Sequence, residues 1–218
     1  MQALKILNAS FLTHDVKRFV LEKPQGLIYR PGQSAHISIN LPGWEDKVRP
    51  FTFTSLNDWP YLEFTVKIYE EHHGVTQQLS KLNTGDELLL HDVFGTIAYK
   101  GPGIFIAGGT GITPFIPIFR ALYLTGNLRN VGLIYSNKSE DDIILKEELF
   151  HMLGAAYLNV FTRQGVIGFN DRKIDKKFLI ETIHDFDNRF YVCGPHSFTE
   201  DISKALLELG AEPESLVV

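Results

Sequence analysis

The sequence predicts two domains of different class: an antiparallel β-barrel over residues 1–99, then an α/β domain with a parallel sheet over residues 100–218. Three observations predict this. Residues 1–99 are short apolar runs between turn signals, with one short helical pattern among them. From Gly103 onward, buried-type strands alternate with helical patterns, the mark of βαβ units. Between the two, Gly95, Gly101, Pro102 and Gly103 crowd the passage from Asp92 to Gly103.

In the first half, Ala3–Ala9 and Val16–Leu21 are apolar and of strand length. Tyr29-Arg30-Pro31-Gly32-Gln33 is a turn. Ser34–Ile39 follows, with Ala35, Ile37 and Ile39 on one face. Leu41-Pro42-Gly43 turns again, and Val48–Ser55 is the next strand. Tyr61–Ile68 alternates clearly, Thr76–Leu82 has helical spacing, and Glu87–Leu90 is a last strand closed by Asp92-Val93-Phe94-Gly95.

Within this half lies Arg49-Pro50-Phe51-Thr52-Phe53-Thr54-Ser55. An arginine fork donates bidentate hydrogen bonds and suits a pyrophosphate. Phe51 shares its side of the strand and offers a flat surface to a ring system, while Thr52 and Thr54 place hydroxyls on the other face. The same residues also describe a half-buried strand with an arginine at its edge.

The second half is organised around Gly103–Pro114. Ile104-Phe105-Ile106-Ala107 reads as a buried strand, Gly108-Gly109-Thr110-Gly111-Ile112 as a turn, and Phe115–Leu122 as a helix with Thr113 as N-cap and Pro114 as first helical residue. Strand, glycine turn and helix start bring backbone N–H groups and a helix N-terminus to one point, which suits phosphate. Glycine is expected there so that no Cβ keeps an anion from the backbone. Read from Gly109 the motif is G-x-G-x-x-P, a variant of the dinucleotide fingerprint. Further strands are expected at Val131–Tyr135, Leu158–Thr162 and Arg189–Cys193, with helices at Asp141–Met152, Lys177–Ile183 and Phe198–Leu209. Ligands on parallel sheets sit at the carboxyl ends of strands, where Gly108–Pro114, Ser136-Asn137-Lys138, Thr162-Arg163 and Cys193-Gly194-Pro195 all fall. Lys138 and Arg163 are either partners for a 2′-phosphate or solvated charges. Cys193 is either a site residue at a strand end or a small core residue, and Phe198 reads as core.

The chain has 218 residues, 44% hydrophobic and 22% charged, with a net charge of −5. That balance does not suit a nucleic-acid reader. No apolar run approaches the roughly 18 residues of a membrane span. The first residues carry no secretory apolar region, so a cytoplasmic location is expected. Cys193 is the single cysteine, which rules out an internal disulfide, a four-cysteine zinc site or a cysteine-ligated iron–sulfur cluster within these residues. His72 and His73 read as solvated, and no metal site is expected.

Arg49-Pro50-Phe51-Thr52, then Gly74-Val75-Thr76, then Gly108–Pro114, then Cys193-Gly194-Pro195 resemble, in that order, the motifs of the ferredoxin–NADP reductase family. The single-module flavodoxin and ferredoxin reductases are the nearest in kind. The resemblance implies a six-stranded antiparallel barrel that binds FAD and a five-stranded parallel sheet that binds NAD(P)H. It places Arg49 on the pyrophosphate, Phe51 on the isoalloxazine, and the Thr52 hydroxyl near flavin N5. Pro50 lies between them, and Val66, Lys67 and Ile68 join the cofactor-binding set. Gly74, Val75 and Thr76 would cap the pyrophosphate. Gly109, Thr110, Gly111, Ile112, Thr113, Pro114, Ser136, Asn137, Lys138 and Arg163 would hold NAD(P)H, with NADPH slightly favoured. Cys193, with Gly194 and Pro195, would bring nicotinamide C4 to the flavin, making Thr52 and Cys193 the catalytic pair. The family usually has Tyr and Ser where this chain has Phe51 and Thr52. Many members end in an aromatic over the flavin, whereas this chain ends Leu216-Val217-Val218. The resemblance implies electron transfer to a separate acceptor, flavodoxin or ferredoxin. The alternatives are an oxygenase reductase component, a free-flavin reductase, or a non-catalytic nucleotide-sensing module.

Overall fold

The computed structural model describes residues 1–95, 97–163 and 172–218. Thr96, in the expected passage between domains, lies outside the described residues. The chain divides into two compact units: Met1–Tyr99 with Ile116–Ala121, and Lys100–Phe115 with Leu122–Val218.

In the first unit, β1 (Gln2–Thr13), β2 (Val16–Glu22), β3 (Ser34–Ile39), β4 (Arg49–Thr52), β5 (Tyr61–Lys67) and β6 (Glu87–Phe94) form a six-stranded antiparallel sheet in the order β4-β3-β6-β1-β2-β5. The edges meet after β4, where Phe53 bridges Phe64 and the Thr54 N–H donates to the Glu63 carbonyl at 2.8 Å. Closure of this kind leaves no edge strands exposed for stray pairing. Alternation supplies the core: Leu4 and Ile6, Phe19 and Leu21, Ala35, Ile37 and Ile39, Leu62, Phe64 and Val66 point inward and are buried. The helix α1 (Val75–Ser80) adds Val75 and Leu79 to that core.

Two expectations are corrected here. The strand expected over 48–55 ends at Thr52: the Phe53 N–H still reaches the Gln33 carbonyl just before β3, but Phe53 also bridges Phe64, and Thr54 pairs with β5. The Thr54 hydroxyl therefore does not face a ligand; it is buried and donates to the Glu63 carboxylate at 2.9 Å. The strand expected over 87–90 runs on to Phe94, because Val93 and Phe94 pair with Ala35 and Ser34.

The second unit contains β7 (Gly103–Gly108), β8 (Val131–Asn137), β9 (Tyr157–Phe161), β10 (Phe190–Cys193) and β11 (Leu216–Val217), all parallel, in the order β11-β10-β7-β8-β9. Pairing on both sides explains the unbroken apolar run of β7, whose Phe105, Ile106 and Ala107 are fully buried. Of the helices after β7, α3 (Lys146–Leu153), α4 (Lys176–Thr182) and α5 (His196–Glu208) belong to this unit, while α2 (Phe115–Leu124) has Ile116–Ala121 in the first. Ile202, Ala205 and Leu206 give α5 its buried stripe, and Asp175 caps α4 by accepting from the Phe178 N–H at 2.8 Å.

Three departures from the sequence pattern have local causes. The helix expected from Asp141 begins at Lys146. Ser139 and Asp142 form a capping box around a short 3-10 turn, and Leu145 then takes φ +53°. The helix after the glycines begins at Phe115, because Gly109–Ile112 is itself a 3-10 turn. Thr113 is thus no N-cap: it has helical dihedrals, and its hydroxyl donates to the Thr110 carbonyl at 3.0 Å. The residue pattern showed four strands in this half; the fifth is β11, only two residues long.

Candidate functional site

Each unit carries candidate site residues of its own. In the first, Arg49 and Pro50 are exposed at the start of β4. The guanidinium donates to the neighbouring Val48 carbonyl at 2.7 Å and engages no acid among the described contacts. Such an arginine has donors to spare for an anion. Phe51 is half-buried against the barrel core. The Thr52 hydroxyl lies 3.2 Å from that of Ser34, its partner across β3. Ser34 had not been singled out from the sequence; the strand pairing is what identifies it.

Val66 and Ile68 have buried side chains in the barrel core, which leaves only their backbone for a ligand. Lys67 is ion-paired with Asp15 at 2.5 Å. Gly74 precedes α1 in extended conformation with no side-chain cap. The first N–H groups of a helix have no intrahelical partner, so those of Val75 and Thr76 are available to an anion. The Thr76 hydroxyl accepts from the Tyr69 N–H at 3.3 Å. Just before this turn the exposed rings of Tyr69 and His72 stack, 5.5 Å apart and 11° from parallel, a surface that sequence reasoning missed. His72 and His73 are both exposed.

In the second unit, β7 is the switch point of the sheet: the chain runs outward through β8 and β9, then returns to β10 on the other side. A crevice at the carboxyl ends of the strands is the usual ligand position in such sheets. There the register places Cys193 beside Ala107 and Ser136 beside Gly108. The glycines at this point are required by the protein itself more than by an anion. A Cβ on Gly111 would lie 2.1 Å from the Cys193 carbonyl oxygen, and one on Gly194 would lie 2.6 Å from the Phe198 ring. Gly108 also faces that ring, at 3.1 Å. Gly109 is different: its φ is +53°, and nothing lies within 4 Å of the position its Cβ would take. Of these glycines, Gly109 is the one whose surroundings leave room at the backbone.

Ile112 and Pro114 are buried, while Thr110 and Thr113 are half-exposed. Asn137 is buried, and its carbonyl accepts from the Thr162 N–H at 3.0 Å. The next pair is Lys138 and Arg163, both exposed and joined by an Arg163 N–H to Lys138 carbonyl bond of 2.9 Å. Two cationic residues far apart in sequence thus have adjacent backbones at the strand ends. The Cys193 thiol is half-buried, and burial pushes its pKa up to about 11. It stays protonated at neutral pH, as suits a packing residue rather than a nucleophile. Pro195 is exposed at the start of α5, and Phe198 packs against the core as its pattern suggested.

Two domain models match the chain. Residues 3–99 match the oxidoreductase FAD-binding domain, and residues 105–204 match the oxidoreductase NAD-binding domain. The chain belongs to the ferredoxin–NADP reductase family. Its sequence is 30% identical to NADH-cytochrome b5 reductase 3 of Rattus norvegicus over 67% of this chain, which spans 59% of that relative's length. It is 27% identical to the ferredoxin–NAD(P)(+) reductase component of the naphthalene 1,2-dioxygenase/salicylate 5-hydroxylase systems of a Ralstonia species, over 92% of this chain and 63% of that one. A ferredoxin NADP+ reductase from Neisseria gonorrhoeae with bound FAD and NADP has the same fold, with a TM-score of 0.82 at 20% identity, covering 96% of this chain and 91% of the other. The two matched domains are those that bind FAD and NAD(P)H. The residues fit such groups: Arg49, with no acid partner among the described contacts, and the uncapped start of α1 in one unit, and the open Gly109 with the exposed Lys138 and Arg163 in the other. Among the described residues no helix is long and apolar enough to cross a membrane.

Proposed function

We propose that this chain is a flavin-dependent NAD(P)H reductase that passes electrons singly to a separate carrier protein. The observation that supports it best is the meeting of Gly109, Cys193 and Ser136 at the switch point of the parallel sheet, in a chain whose other unit presents Arg49 and Thr52 on one strand. When bound, FAD supplies the redox chemistry, accepting a hydride equivalent and giving up electrons one at a time. The chain's own residues bind and align. Arg49 holds the pyrophosphate with Gly74, Val75 and Thr76, and Phe51 gives the ring system an apolar surface. Pro50 and the backbone of Val66, Lys67 and Ile68 border it. Thr52 places a hydroxyl at the hydride-accepting atom. Thr110, Ile112, Thr113 and Pro114 shape the turn around Gly109 and Gly111. Ser136, Asn137, Lys138 and Arg163 line the adenosine side, and Cys193, Gly194 and Pro195 seat the nicotinamide with a thiol that stays neutral.

For the acceptor we favour ferredoxin or flavodoxin, with cytochrome b5 brought into range by the relatives' names. The single cysteine supports an external acceptor, since these residues cannot ligate a cluster. The test is the absorption spectrum of the purified protein before and after NADH or NADPH, followed by each carrier in turn. A flavin spectrum bleached by nucleotide and restored by one carrier is expected. A colourless protein that cannot be reconstituted with FAD would sink the proposal. Thr52→Ala should slow bleaching at least about tenfold while FAD stays bound, because misalignment costs rate before it costs binding.

A further inference from the structure

The closing seam of the first unit contains a buried ion pair that cofactor binding does not call for. Arg120 lies in the segment Ile116–Ala121 that belongs to this unit. Its Nη1 donates to Glu63 Oε1 at 2.7 Å and to the Thr54 carbonyl at 2.7 Å, with both charged side chains at least nine-tenths buried. The guanidinium also sits over the Trp59 ring, 4.9 Å from its centre. The Glu63 carboxylate accepts from the Thr54 hydroxyl at 2.9 Å. An apolar pair of similar volume would hold a barrel closed at least as well, because two ions must be stripped of water to be buried. What the pair adds is geometry, since a single guanidinium nitrogen, Nη1, donates to both a carbonyl and a carboxylate and ties the two to one point.

The place matters. Phe53 donates its N–H to the Gln33 carbonyl at 3.1 Å, and the next residue, Thr54, donates to Glu63 at 2.8 Å. The backbone therefore changes partner strand between two consecutive residues, directly after Thr52. On its other side the Thr52 hydroxyl has, among the described residues, Ser34 at 3.2 Å, long for an O–H···O bond. Such a contact fixes the hydroxyl weakly, so its orientation depends on the backbone that follows.

We propose that the Arg120–Glu63 pair is a positioning element: by clamping Thr54 it fixes the backbone that aims the Thr52 hydroxyl at the redox centre. This rests on the role given to Thr52 above. The experiment is anaerobic stopped-flow reduction of FAD-loaded protein by NADH and NADPH, for wild type, Arg120→Met/Glu63→Gln and Arg120→Lys. It is paired with amide hydrogen exchange on the cofactor-free proteins. The double variant removes both charges and leaves neither unpaired. It should keep FAD and nucleotide affinities within about threefold and lose about tenfold or more in limiting reduction rate. Exchange should rise at Phe53 and Thr54 and stay unchanged in β1 and β2. Arg120→Lys, which keeps the charge but loses the planar guanidinium seated over Trp59, should fall between. A double variant or Arg120→Lys that reduces at the wild-type rate overturns the inference, as does a rate loss matched by loss of FAD. A wild type that takes no FAD overturns the role of Thr52 itself, and is told apart because the wild type alone reveals it.

Discussion

In the proposed function FAD retention rests most directly on Arg49, whose guanidinium is exposed at the start of β4 and, among the described residues, engages a neighbouring carbonyl. A hydrogen bond to a charged group contributes about 1.5–3 kcal/mol, so Arg49→Ala should weaken FAD binding about ten- to a hundredfold. Equilibrium dialysis against FAD, beside a urea melt of the apo-protein showing an unchanged midpoint, checks this. Equal affinity would make Arg49 a strand-edge residue. Cys193 gives a second measurement. Burial raises its pKa from 9.0 to about 11, so near pH 8 the thiolate fraction should be about a hundredfold below that of an unperturbed cysteine. Iodoacetamide should label native protein that much more slowly than unfolded protein. The sign for stability follows. Above about pH 9 the unfolded thiol ionises while the folded one does not, so the unfolded state binds fewer protons and stability falls as pH rises towards 11. Cys193→Ala should flatten that alkaline limb in urea melts at pH 8, 9 and 10. An unchanged limb would place the thiol's titration elsewhere.

The glycine turn shows what an element owes to its own sequence and what it owes to distant chain. Gly109 and Gly111 look alike in the motif but differ in cause. Gly109→Ala keeps open space around the new methyl and meets only the left-handed penalty, about 1 kcal/mol. Gly111→Ala drives a methyl into the Cys193 carbonyl and should cost about 1–3 kcal/mol as backbone is forced to move. Urea midpoints should rank wild type, Gly109→Ala, Gly111→Ala, while NAD(P)H titration of Gly109→Ala should show weakened binding out of proportion to its stability loss. The reverse ranking would refute the assignment. The same contrast marks where the sequence was legible. Ile104–Ala107 could be read because a run buried on both faces needs no partner to be recognised. The glycine turn and the strand ends followed from it. β11 could not be read, because two residues become a strand only by pairing with Phe190 and Tyr191. Thr113-Pro114 has the signature of a helix start, yet the 3-10 turn before it makes Thr113 a donor within the turn. The closure of β4 onto β5, and with it the burial of Thr54 and Glu63, depends on long-range pairing that alternation alone does not encode.

At the scale of the whole molecule the open choice is nucleotide. Lys138 and Arg163 are joined through their backbones and both face solvent. If they bind a 2′-phosphate, NADPH should exceed NADH in kcat/KM by about five- to a hundredfold, mainly through KM because the contact is remote from the reacting carbon. The preference should shrink with salt, as partly exposed charges are screened. Lys138→Ala/Arg163→Ala should lose it and keep NADH turnover. A wild type indifferent to the 2′-phosphate at both low and high salt would make this an NADH enzyme. The position of β7 has a consequence of another kind, for the order in which the second unit forms. β7 and β8 are close in the chain and can meet early, but the other neighbour of β7 is β10, which comes after β9 and α4. Loop closure over such a span delays the pairing, and sheets with distant partners fold slowly. Gly111 lies against Cys193, at the end of that late strand, so the wall of the phosphate turn is among the last parts to be built. During synthesis, a ribosome-bound chain that stops short of Phe190 would carry the entire Gly108–Pro114 motif and still have no finished cradle.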